Sequence, residues 1–180
     1  MNTTKPFLTD VQELRRRARE NMMSGAVTNS YRGDIGQAVG VLNQALATEI
    51  VCVLRYKRHF FMSRGIAKDS VAQEFLQHAN EEQQHADQIA ERITQLGGEP
   101  DLNPEGLASR SHSEYKEGSD MVSMIQENLV AERIAIESYR EMIGFFGQDD
   151  PTTRRMLEGI LAVEEEHAND MSDLLEQHAG

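Results

Sequence analysis

The chain has 180 residues, 39% of them apolar, with Lys+Arg 18 against Asp+Glu 30 and a net charge of −12. That length suits one domain able to bury its own core, and the acid excess argues against nucleic acid as the main partner, because a duplex needs Lys or Arg to displace its counterions. Cys52 is the single cysteine, which excludes an internal disulfide framework and a cysteine-rich zinc site and reads as a buried, inert thiol.

The first residues, MNTTKPFLTD, lack the basic-then-apolar layout of a signal peptide, and no stretch approaches eighteen uninterrupted apolar residues. A cytoplasmic chain without membrane contact is expected. Residues 1–33 form an extension with a short helix over about Thr9 to Ser24, lying outside the main core and carrying Arg15, Arg16, Arg17 and Arg19. This extension has a net charge of +3 and the remainder −15, so a solvated helix face is favoured there over a weak nucleic-acid or subunit contact. Met22, Met23, Met121 and Met124 are expected to serve packing.

Residues 34–180 are predicted to form an all-α, four-helix bundle. The first long helix starts at the N-cap Asp34 and runs to about Ser63, and the second runs from Asp69-Ser70 to Gly97-Gly98. The third spans about Ser119 to Phe146, and the fourth runs from Pro151 to about Gln177. Short links make helices one and two, and three and four, antiparallel neighbours. Between the pairs lies a long Pro-, Gly- and Ser-rich link, from Gly98 to Gly118. Helices of roughly 28 residues are about 40 Å long, so such a link can traverse the bundle as a single crossover.

Each helix carries one apolar stripe interrupted near its middle. The stripes pass through Glu49 and Tyr56, through His78, Glu82 and His85, through Glu132 and Tyr139, and through Glu164 and His167. A carboxylate on a core face is costly unless it is paired or bound to a metal. The halves also echo each other, since Glu49, Tyr56, Glu82-x-x-His85 is followed by Glu132, Tyr139, Glu164-x-x-His167 with closely matching intervals. Four carboxylates and two imidazoles around a pseudo-twofold axis suit a pair of iron or manganese ions better than one zinc. His78 is read as a satisfied core-edge histidine in preference to a further ligand or a partner of one, and Glu81, Glu165 and Glu166 as solvated side chains directed to other faces, or at most as partners of a ligand. Tyr139 is either a redox or hydrogen-bonding group or a structural one.

This constellation resembles the ferritin-like di-iron carboxylate superfamily, and most closely the bacterioferritins and ferritin-type ferroxidases. Leu96-Gly97-Gly98-Glu99-Pro100 is similar to the end of the second bacterioferritin helix. The resemblance implies that Glu49, Glu82, His85, Glu132, Glu164 and His167 are metal ligands, with Glu82 and Glu164 bridging and Tyr56 beside the metals. Tyr56 and Tyr139 are the candidate catalytic side chains. It further implies two iron ions per subunit, with manganese as the alternative, and oxidation of Fe²⁺ by O₂ or H₂O₂ in iron storage or detoxification. A homo-oligomer follows, at least a dimer and at most a cage, pairing through an apolar face to which Val41, Ala45 and Phe61 are assigned if they do not belong to the core. No haem is expected, because Gln83 stands where bacterioferritins place the haem methionine. The competing activities are a rubrerythrin-like peroxidase, a manganese catalase or another di-metal oxidoreductase of the superfamily; the non-enzymatic one is a DNA-protecting or structural assembly protein.

Overall fold

A computed structural model describes residues 10–63 and 69–178. Its long helices are α2 (Ile35–Met62), α3 (Asp69–Gln95), α5 (Met121–Phe146) and α6 (Pro151–His178), preceded by α1 (Val11–Arg17) and a 3₁₀ turn, Met22–Ser24. A one-turn helix, α4 (Leu107–Arg110), interrupts the link between α3 and α5. No strand occurs among the described residues. The helices begin where their capping residues place them. Asp34 accepts from the Gln37 amide at 3.0 Å, and Asp120 and Ser123 form a reciprocal capping box on α5. Asp150 accepts from the Thr153 amide at 2.9 Å, just ahead of Pro151.

The leading helix is shorter than the sequence suggests. It stops at Arg17, and Asn21 at φ 51° turns the chain into the separate 3₁₀ turn. Four arginines close together repel one another, and α1 buries no side chain that would offset this. Met22 and Met23 are 74% and 100% exposed, so they pack against nothing substantial; Met121 and Met124 are buried as expected. From Val27 onward the extension does touch the bundle, and the Tyr31 hydroxyl donates to Asp150 at 3.0 Å.

The two antiparallel hairpins α2–α3 and α5–α6 pack across each other, α2 against α5 and α3 against α6. Polar contacts fix the register: His59 meets Asn128, Tyr56 meets Glu132, and Tyr139 meets Glu49, so α2 and α5 run in opposite directions. The crossover is tied along the length of α2. Asn43 holds Glu99 and Asp101, Thr48 accepts from the His112 amide, and Arg55 donates to Ser113 and the Glu114 carbonyl. His59 reaches the carbonyls of Lys116 and Glu117. These anchors span 16 residues of helix, roughly 24 Å. The turn that sends the chain into this path needs glycines. Gly97 has φ 82°, and a Cβ on Gly98 would lie 2.5 Å from a methyl of Val39.

By length and composition α2 would suit a bilayer. In this fold those apolar residues serve the core, where Glu49, Arg55 and His59 are buried among them. Two apolar clusters lie toward opposite ends of the bundle, one around Leu42, Ile89 and Ile160, the other around Phe75, Ile125 and Met171. The carboxylates occupy the layer between.

Candidate metal centre

Every member of the second stripe from Val71 to Leu96 is buried, His78 and Glu82 included. Glu49, Glu82, Glu132, Glu164 and His167 are each no more than 1% exposed, and His85 is 4% exposed. Their ligand atoms form two overlapping quartets, Glu49–Glu82–His85–Glu164 and Glu82–Glu132–Glu164–His167, with all atoms of a quartet within 4.8 Å of one another. Glu82 and Glu164 are common to both. The pseudo-twofold relation read from the spacing is thus present in space.

This donor set fits two cations. Both oxygens of Glu82 and Glu164, one oxygen each of Glu49 and Glu132, and Nδ1 of His85 and His167 are buried, and none has a hydrogen bond of acceptable geometry among the described residues. Nδ1 of His85 lies 2.9 Å from Glu164 and 3.4 Å from Glu49 and Glu82, and Nδ1 of His167 lies 3.7 Å from Glu82. So many buried lone pairs facing one another are untenable without protons or metal ions between them.

Protons fill that role in the metal-free protein. Burial, followed by the charge of Glu82, pushes Glu49 up to about 8. Burial together with Glu82 and Glu49 drives Glu164 well above the carboxylate range, and burial with Glu82 raises Glu132. Burial alone would lower the two histidines and raise Glu82. The neighbouring carboxylates reverse this for the histidines, carrying His85 up to about 12 and His167 to about 9. The two histidines in turn hold Glu82 far below its ordinary value.

The tyrosines cross between hairpins. The Tyr56 hydroxyl from α2 donates to Glu132 on α5, and the Tyr139 hydroxyl from α5 donates to Glu49 on α2. Each occupies one oxygen of a non-shared carboxylate and leaves its other oxygen for the centre. Each phenol thus contacts a carboxylate of the opposite hairpin. Burial followed by the carboxylate charges lifts both phenols well above their usual range, so they remain donors.

Three surrounding residues have roles that differ from, or exceed, the expectation. His78 is fully buried and does more than sit at the core edge. Its Nδ1 lies 3.1 Å from the Tyr56 hydroxyl, its ring stacks on His167 at 3.9 Å, and burial with the His167 charge brings it down to about 4. Glu81 turns toward the centre rather than to solvent, 2.8 Å from Nε2 of His167, where it orients the ring. Arg55 sits in the apolar stretch of α2 and holds Asn128 at 2.9 Å, one turn from Glu132. Arg55 and His59, four apart and so on the same face of the helix as Cys52 and Tyr56, were the available signal for this buried network. Glu165 pairs with Arg140 on the surface, and Cys52 is free and buried, as expected.

An opening of about 280 Å³ between α3 and α6 reaches His85 and His167 past Glu81, Glu166 and Asp170. A wider groove of about 760 Å³ lies away from the carboxylates on α2 and α5, lined by Val41, Val130, Ile134 and Phe145. Phe61 is 67% exposed, Val41 is half-buried and packs against the core cluster, and Ala45 belongs to the core.

A bundle of two hairpins with a shared-carboxylate centre is the architecture of the di-metal carboxylate proteins. Residues 39–179 match the family described as Ferritin-like domain, and the chain belongs to that family. It is similar to the bacterioferritin-related protein from Bacteroides fragilis, a dodecameric thioferritin, at 34% identity and a TM-score of 0.77, covering 81% of this chain and 88% of that one. It is also similar to a nutrient stress-induced DNA-binding protein of Synechococcus sp., 30% identical over 74% of this chain and 78% of the relative. A bacterioferritin of Desulfovibrio desulfuricans is 27% identical over 73% of this chain and 70% of the relative.

Proposed function

We propose that the protein is a ferroxidase that takes up Fe²⁺, oxidises it at a two-metal centre and holds or detoxifies the ferric product. The observation that carries this reading is the pair of buried quartets sharing Glu82 and Glu164. Each quartet would receive one Fe²⁺, with Glu49 and His85 completing one shell and Glu132 and His167 the other. Two Fe²⁺ together supply the two electrons that convert O₂ and two protons to H₂O₂, and anionic ligands favour the ferric product. The chain's own residues hold the ligands in place: Tyr56 and Tyr139 orient the non-shared carboxylates, and Glu81 orients His167. The acidic opening between α3 and α6 gives cations a route in. The bacterioferritin and thioferritin relatives support a homo-oligomer, with the apolar groove on α2 and α5 as a candidate contact. Gln83 leaves no methionine for haem at that position.

Glu82→Ala and Glu164→Ala should each abolish rapid aerobic Fe²⁺ oxidation followed by stopped-flow absorbance. Oxidation at the wild-type rate in both would overturn the assignment. Native mass before and after aerobic Fe²⁺ loading separates storage, many irons per subunit in a shell, from a small oligomer that stops near the centre's capacity.

A second reading, DNA protection, is favoured by the name of the Synechococcus relative and by the +3 charge of residues 1–33. Against it, Glu13 holds Arg16 at 2.8 Å and Arg17 at 2.7 Å, leaving less free positive charge for phosphates. Retardation of duplex DNA by the full chain in about 150 mM salt would favour this second reading; none is expected.

A further inference from the structure

The offset of 82 residues that carries Glu82 onto Glu164 and His85 onto His167 also carries His78 onto Ile160, Glu74 onto Met156 and Gln88 onto Asp170. The two-metal frame therefore explains its own six ligands but gives no reason for Glu74, His78 and Asp170. His78 is as buried as its apolar counterpart Ile160. An imidazole in such a place is costly unless both nitrogens are satisfied.

Tyr56 has one phenolic proton, and it is donated to Glu132. Nδ1 of His78, 3.1 Å from the same phenolic oxygen, must then be the donor in that contact. Nε2 is left for partners outside the Tyr56–Glu132 chain. Facing it are Glu74 Oε1 and Asp170 Oδ2, each 3.4 Å away. Three potential ligand atoms from α3 and α6 converge within 4.8 Å of one another. A cation among them would meet two carboxylate oxygens and a buried imidazole nitrogen at once.

We propose that Glu74, His78 and Asp170 form a third divalent-cation site, adjoining the six-residue centre through His78, whose ring stacks on His167. Two carboxylates and one imidazole suit Fe²⁺, Mn²⁺ or Zn²⁺. The Glu74 and Asp170 side chains are 32% and 39% exposed, so a bound ion keeps water ligands and exchanges readily. Asp170 also lines the opening that reaches His85 and His167. The site is placed to stage incoming ions beside the centre. That staging role rests on the ferroxidase reading, whereas binding itself does not.

The test is anaerobic Zn²⁺ titration of the metal-free full chain by calorimetry, with zinc-edge anomalous diffraction of the loaded crystals. Wild type should bind a third, weaker equivalent per chain, with an anomalous peak about 2.0–2.1 Å from His78 Nε2. The near-isosteric double variant Glu74→Gln/Asp170→Asn should lose that equivalent and that peak while retaining the two central ones. Saturation of wild type at two equivalents, a third peak elsewhere, or a third equivalent retained in the double variant would overturn the proposal. A peak at His78 without the two central peaks would instead refute the two-metal reading and leave this site standing.

Discussion

Removing a single phenolic oxygen should weaken one metal position and spare the other. Tyr139 lies on α5, in the second hairpin, yet its hydroxyl donates to Glu49 on α2, which belongs to the quartet completed by His85. Tyr139→Phe keeps the ring and its packing and deletes the donor. Glu49 is 1% exposed, so no solvent replaces the lost partner. A hydrogen bond to a charged group contributes about 1.5–3 kcal/mol. Loss of a partner that orients a metal ligand lowers affinity about 10–100-fold, which is of the same order. Tyr139→Phe should therefore lower affinity by about that factor at the Glu49–His85 position and leave the Glu132–His167 position within about threefold of wild type. Tyr56→Phe should do the reverse. Occupancy of the two positions in crystals equilibrated with sub-saturating Zn²⁺, read from anomalous scattering, measures each separately. Equal weakening of both positions by either variant, or no weakening by either, would refute the crossed arrangement.

Three further outcomes follow from the structure. Metal-free protein at pH 7 carries protons on His85, His167 and Glu49, raised to about 12, 9 and 8, so metal binding should release protons and tighten as pH rises from 6 to 8; calorimetry in buffers of differing ionisation enthalpy checks this. All three groups bind protons more tightly folded than unfolded, so the stability they confer is lost as pH rises through their folded values. Glu82, held low, contributes fully above its unfolded value and adds no slope there. The metal-free Tm should therefore fall between pH 6 and 9 and the metal-bound Tm should not. Arg92→Ala should cost about 3–5 kcal/mol in chemical unfolding, because it leaves Asp150, paired at 3.0 Å and 3% exposed, as an uncompensated buried charge. That site lies two turns from His85, so central metal stoichiometry should be unchanged.

Much of the bundle was legible because each helix announces itself through one apolar stripe and a capping residue. Asp34 and Pro151 mark two of their starts, and Gly97 and Gly147 mark two of the ends. The clustering of the six candidate ligands was legible for a related reason: a Glu amid Leu, Val and Phe contradicts burial unless something compensates its charge. What stayed hidden depends on contacts between helices. Nothing in the seven-residue Glu-to-Tyr interval says that Tyr56 serves Glu132 rather than its own Glu49. Glu81 follows the helical period away from the stripe, yet its side chain curls back to His167. His78 looked like one more stripe residue because its distinguishing features, stacking on His167 and facing Asp170, arise only once α3 and α6 are side by side. The extension was over-extended for want of a tertiary partner: α1 has helix-forming residues and no core to hold it.

The central claim is that Glu82 and Glu164 are shared by two ions. Anomalous diffraction from crystals loaded anaerobically with Fe²⁺ tests it most directly. The account predicts two iron peaks about 3.5–4 Å apart, one beside Glu49 and His85, the other beside Glu132 and His167, with both bridging carboxylates between them. A single peak, or none among these six residues, would contradict it.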